Sequence, residues 1–207
     1  MITDKELLKL VKYKLGIFDL SQDIPEGALD RVTELIISNE SVAGKPLNVD
    51  LTQLSELKNL TSLDLNRFRL EGESLDTINS LPILKKLAIR NSILDGDITQ
   101  DNLEKFSLER GELGKDASLP EAKVMNFNEV ENVELGKIKN DKGKIRHISI
   151  RGGNIRNPGL LESYESLETL IVVGTKVDDE IIKRLTQRNV GIVYMPEERN
   201  MTTTMLR

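Results

Sequence analysis

The chain has 207 residues and a formal net charge of −5, long enough to bury a core of its own and too acidic overall to favour nucleic acid or an anionic membrane as a partner. Cysteine and tryptophan are absent and aromatics make up only 3% of residues. No disulfide or thiolate metal site can form, and Leu, Ile and Val must supply nearly all the burial. The first element in chain order is a helix. Thr3-Asp-Lys-Glu6 has the capping-box pattern, and Leu7, Leu8, Leu10, Val11 and Leu15 follow on one helical face. Residues 1–30 are therefore expected to form a helical cap. Charges are spread through this stretch, with no uninterrupted apolar core and no small-residue cleavage site, so it does not read as a signal peptide. No segment approaches the ~18 apolar residues of a membrane span. A cytoplasmic chain is expected, with a secreted protein already trimmed of its leader as the alternative.

From residue 31 to 195 one apolar frame recurs. Leu60, Leu63, Leu65 and Leu70 stand at its positions 1, 4, 6 and 11. The same positions hold Val32, Leu35, Ile37 and Val42, then Leu84, Leu87, Ile89 and Leu94, then Leu103, Phe106, Leu108 and Leu113. Ile145, Ile148, Ile150 and Ile155, and then Leu167, Leu170, Val172 and Val177, repeat it. Two copies are degraded: Ala122, Met125 and Phe127 with Asn132, and Val190, Val193 and Met195 with no eleventh position. The starts at 32, 60, 84, 103, 122, 145, 167 and 190 lie 19 to 28 residues apart. Positions 4 and 6 alternate along a short strand and share one face, and stacked copies bury what a single copy exposes. Parallel strands about 4.8 Å apart, with a wider return on the other side, bend such a stack into a horseshoe. Residues 73–81 and 178–186 carry helical spacing, and 158–164 suits one short helical turn. The two 19-residue copies leave room only for extended or tight returns. Asn140-Asp-Lys-Gly143 reads as a turn. Residues 196–207 are expected to be a tail or a cap, with 201–206 packing over the last repeat or pairing with an edge.

These residues resemble the leucine-rich-repeat family. The stretch from Leu167 to Val177, followed by DDEIIKRL, looks like repeats of bacterial members. The opening DKELLKLVKYKLGI and IPEGALDRVTELIIS are similar to the helical cap of internalin-like bacterial proteins. The resemblance implies an α/β solenoid: about eight irregular repeats, a parallel concave sheet and an N-terminal helical cap. At frame position 9 the family prefers Asn, which ties neighbouring turns together. Here that position holds Glu40, Phe68, Ser92, Gly111, Val130, Gly153 and Thr175; Ser92 and Thr175 are the two able to substitute in part.

Catalytic constellations are scarce. His147 is the only histidine and falls on the outward side of a predicted strand. Arg151-Gly-Gly-Asn154 lacks the spacing and the following helix of a phosphate loop. Asp95-Gly-Asp97 and Asp178-Asp179 lack the ligand spacing of a calcium loop. No catalytic, cofactor or metal residues are assigned, and no enzyme is expected. What remains is the outward face of the predicted sheet. Its centre is polar and mixed in charge: Asp64, Asn66, Arg90, Glu109, Asn126, Asn128 and Arg151, with Tyr194 as an anchor at one end. This face is expected to bind a protein partner, as an inhibitor, immunity or adapter module. A structural protein that assembles through its C-terminal end is the alternative.

Overall fold

The computed structural model describes residues 1–41, 43–138 and 143–196. The expectations for Val42, for the turn from Asn140 and for the tail at 201–206 lie outside these residues. Eight strands form one parallel sheet in chain order: β1 (Glu34–Ser38), β2 (Ser62–Asn66), β3 (Lys86–Arg90), β4 (Lys105–Glu109), β5 (Val124–Asn128), β6 (His147–Arg151), β7 (Thr169–Val173) and β8 (Gly191–Met195). From β1 to β7 the frame sets the register. Leu35, Leu63, Leu87, Phe106, Met125, Ile148 and Leu170 lie opposite one another, as do Ile37, Leu65, Ile89, Leu108, Phe127, Ile150 and Val172. All are buried. The ladder gives each inward chain the same neighbours above and below, and this is why a short repeat closes a core.

The returns lie on the other side of the core. α2 (Gly72–Ser80) buries Leu75 and Ile78, and α3 (Asp179–Gln187) buries Ile181 and Leu185. Short 3-10 turns at Leu51–Glu56 and Pro158–Ser163 do the same for their copies. The two 19-residue copies carry no helix in their returns. In place of one, the buried Gln100 donates its amide to the carbonyls of Ile78, Asn79 and Leu81 at 2.8 Å each. That satisfies the C-terminal carbonyls of α2, which a helix end leaves open. Helices need roughly twice the spacing of paired strands, so the sheet lies on the inside of the curve.

No Asn ladder holds the turns. Ser92 Oγ accepts from Phe68 N at 3.0 Å, and Thr175 Oγ1 donates to Gly153 O at 3.0 Å, so these two do substitute. Elsewhere the backbone itself pairs: Arg69–Leu70, Ile93–Leu94 and Glu112–Leu113 form a second small parallel sheet, and Asn132–Glu134 pairs with Asn154–Arg156.

Three sequence expectations are corrected here. α1 (Lys5–Lys14) is capped by Asp4, whose carboxylate accepts from Leu7 N at 2.7 Å. Thr3 is not the cap, because Gln53 Oε1 takes the N–H groups of Thr3 and Asp4. In the copy from Ala122, the eleventh position is filled by the buried Val133, not Asn132. Three residues, 129 to 131, link β5 to its short strand where two suffice in the neighbouring copy, Gly152 and Gly153. In the last copy, Ile192 and Tyr194 pair with Leu170 and Val172. One residue, Gly191, separates Val190 from that first inward residue, where every other copy has two. Since side chains alternate along a strand, the missing residue exchanges the faces: Val193 and Met195 face solvent.

Candidate functional site

The sheet's open face carries three rows, set by alternation along each strand. Across β2 to β6 the first row reads Ser62, Lys86, Lys105, Val124 and His147. The second reads Asp64, Ala88, Ser107, Asn126 and Ser149. The third reads Asn66, Arg90, Glu109, Asn128 and Arg151. Seven of the eight expected site residues are therefore on this face. Tyr194 is not: its ring turns inward, and its hydroxyl donates to Val177 O at 2.8 Å and accepts from Val177 N at 3.2 Å. The one-residue shortening of that copy makes it a structural residue that closes the last turn.

At the centre, Arg90 joins two acids from flanking strands. Its Nη2 lies 2.7 Å from Asp64 Oδ2 and its Nε 3.8 Å from Glu109 Oε2. The side chain of Asp64 is only 15% exposed. Burial pushes its carboxyl above the ordinary aspartate range, and Glu109 adds to this while the Arg90 guanidinium opposes it. Asp64 Oδ1 is buried without a hydrogen-bond partner, an uncommon state for an acceptor. Asn66 Nδ2 donates to Ser38 Oγ at 3.2 Å, and Asn126 Nδ2 to Ser107 Oγ at 3.3 Å. Arg151 is exposed and makes no ion pair among the described residues. Asp64, Arg90, Glu109, Asn126 and Asn128 share a hollow of about 270 Å³ floored by the small Ala88 and Ser107.

Sequence reasoning missed two groups. Lys86 and Lys105 line the same hollow; the alternation that marked positions 5 and 7 as outward applies one step earlier, to position 3. The other group is the residue just past each strand, held at positive φ in six copies: Arg67, Asn91, Arg110, Glu129, Gly152 and Gly174. Their shared frame position, filled twice by Gly and once by Asn, was the available signal. This bend carries side chains to the rim of the face. Arg110 reaches Glu109 at 2.5 Å and Glu129 at 3.8 Å, Asn91 Nδ2 donates to Asn66 Oδ1 at 2.7 Å, and Arg67 pairs with Glu40.

No protein-family model and no curated protein matches the sequence. Solved structures do. An internalin C2 of Listeria monocytogenes superposes with a TM-score of 0.61 at 17% identity, covering 93% of this chain and 83% of that one. An internalin (inlF) of the same organism gives 0.54 at 16% identity, over 89% of this chain. The present chain spans 60% of the length of that second structure. The protein has an internalin-like leucine-rich-repeat fold.

Proposed function

We propose that the chain is a non-catalytic protein-binding module, with residues 1–30 as cap and 31–195 as solenoid, whose open sheet face receives the partner. The observation that carries this reading is the hollow at the sheet's centre. A rigid ladder presents varied polar side chains around it, and one buried carboxylate oxygen, Asp64 Oδ1, is left unsatisfied. Rigid presentation lowers the ordering cost of association. Inhibitor, immunity and adapter roles all use such a face. Affinity capture from the source organism tests the reading. Asn126→Arg with Arg151→Glu is expected to abolish capture while Lys183→Glu on α3 leaves it intact, all with native circular-dichroism spectra. Loss on Lys183→Glu alone would move the interface to the return side.

One observation favours self-assembly instead. β8 pairs only with β7 among the described residues, and its Val193 and Met195 are exposed; an open strand edge is a template for another chain. Light scattering over a concentration series separates the readings: a dimer abolished by Val193→Lys would replace the first.

A further inference from the structure

The open face does not end at β1. Tyr13 of α1 and Ile36 of β1 line a second hollow of about 430 Å³ together with Ser62 and Asp64. Those last two residues also border the central hollow, so the two run into one another. Tyr13 is 57% exposed, Ile36 71% and Phe18 73%, and the two aromatic rings meet edge to face at 5.6 Å. Exposed aromatic and aliphatic chains grouped in this way mark a contact surface, and aromatic anchors dominate binding energy where they occur.

The charges of the central hollow have a direction. Both acids are already engaged, Asp64 by Arg90 and Glu109 by Arg110. Lys86 and Lys105 are direct cross-strand neighbours. Both are exposed, and neither side chain makes a hydrogen bond or ion pair among the described residues. Like charges set opposite one another destabilise a sheet; Glu34 of β1 feels the Lys86 charge, but its carboxylate is held by Lys14. In a chain of net charge −5, the uncommitted charge at the middle of this face is positive.

Resting on the reading of this face as the interface, we infer that the partner presents an extended acidic segment led by an apolar anchor. The anchor sits between Tyr13 and Ile36, and carboxylates follow at Lys86 and Lys105. β1 to β3 is two strand spacings, about 10 Å, which an extended chain covers in roughly three residues. Side chains alternate along an extended chain, so acids two and four residues after the anchor share its side and bracket that distance, within reach of the long lysine chains.

The test uses the ¹⁵N-labelled full chain and three peptides: acetyl-Phe-Ser-Glu-Ser-Glu-amide, the same with both Glu replaced by Lys, and the first with Phe replaced by Ser. The acidic anchored peptide is expected to shift amide resonances across β1 to β4. Its affinity should fall about tenfold or more with Lys105→Glu, with Tyr13→Ser, and in either control peptide. Added salt should weaken it further. No binding, or equal binding of the Lys peptide, overturns the inference; Lys-peptide shifts confined to the sheet would leave the binding-module reading standing. Shifts confined to α2 and α3 would sink both. Tighter binding of an oligothymidylate than of the acidic peptide would replace the protein segment with nucleic acid.

Discussion

The copies beginning at Leu60, Leu84 and Leu103 and those beginning at Ala122, Ile145 and Val190 use the same frame under different discipline. In the first group every strand is followed by a two-residue bend: Arg67 and Phe68, Asn91 and Ser92, Arg110 and Gly111. Outward and inward faces keep their phase throughout. In the second group one copy gains a residue between β5 and its short strand, and the last loses one before β8. The insertion is absorbed locally. A Cβ at position 153 would collide with the Val130 carbonyl that the extra residue pushes across, so only Gly153, at φ +77°, fits there. The deletion is not absorbed and turns Tyr194 inward. A parallel stack thus tolerates a one-residue error where glycine receives it, and exchanges its faces where nothing does.

The largest effect expected from this contrast is at Gly153. Gly152→Ala adds a Cβ at φ +70° with its nearest neighbours at 3.7 Å, and should cost only the left-handed strain, about 1–2 kcal/mol. Gly153→Ala adds a collision with backbone, about 1–3 kcal/mol more. Equal losses of the two variants in denaturant melts would mean that the insertion does not press on this glycine.

A smaller effect concerns the inward ring. Tyr194→Phe leaves the buried Val177 N–H and carbonyl without the hydroxyl they share, and should cost about 1–3 kcal/mol. Val193→Ser, one residue away and facing solvent, should fall within about 0.5 kcal/mol. A reversal of these two values would restore the phase that the frame alone implies.

The smallest effect belongs to the regular region and is read against pH. Asp64 holds its proton more tightly in the folded chain than in the unfolded one, because burial raises its carboxyl. The folded state therefore loses stability from this group as pH rises from about 4, the unfolded aspartate value, through the higher folded value. Asp64→Asn should remove that part of the slope and leave stability at neutral pH unchanged or slightly raised. An identical pH profile in the variant would show that the carboxyl is solvated.

Much of this is legible in the sequence. Leu63, Leu65, Leu87, Ile89, Ile148 and Ile150 declare their burial by spacing, since alternation along a strand is a local property. Leu75 with Ile78, and Ile181 with Leu185, announce their helices in the same way. Val133 and Tyr194 take the inward places that the frame gives to Asn132 and Met195, because a one-residue change of length leaves no mark in composition. Thr3 was misread as a cap because Gln53, 50 residues on, is invisible to local pattern.

The sequence by itself determined the repeat, the inward set from β1 to β7 and the polar character of the face, because each follows from periodicity within one copy. Only the tertiary structure decided that Arg90 bridges Asp64 and Glu109, that Lys86 stands beside Lys105, and that Tyr13 of α1 continues the sheet's open face. Those are distances between copies. They are set by how each return closes on its neighbour, and a contact across a stack depends on the lengths of every link between its ends.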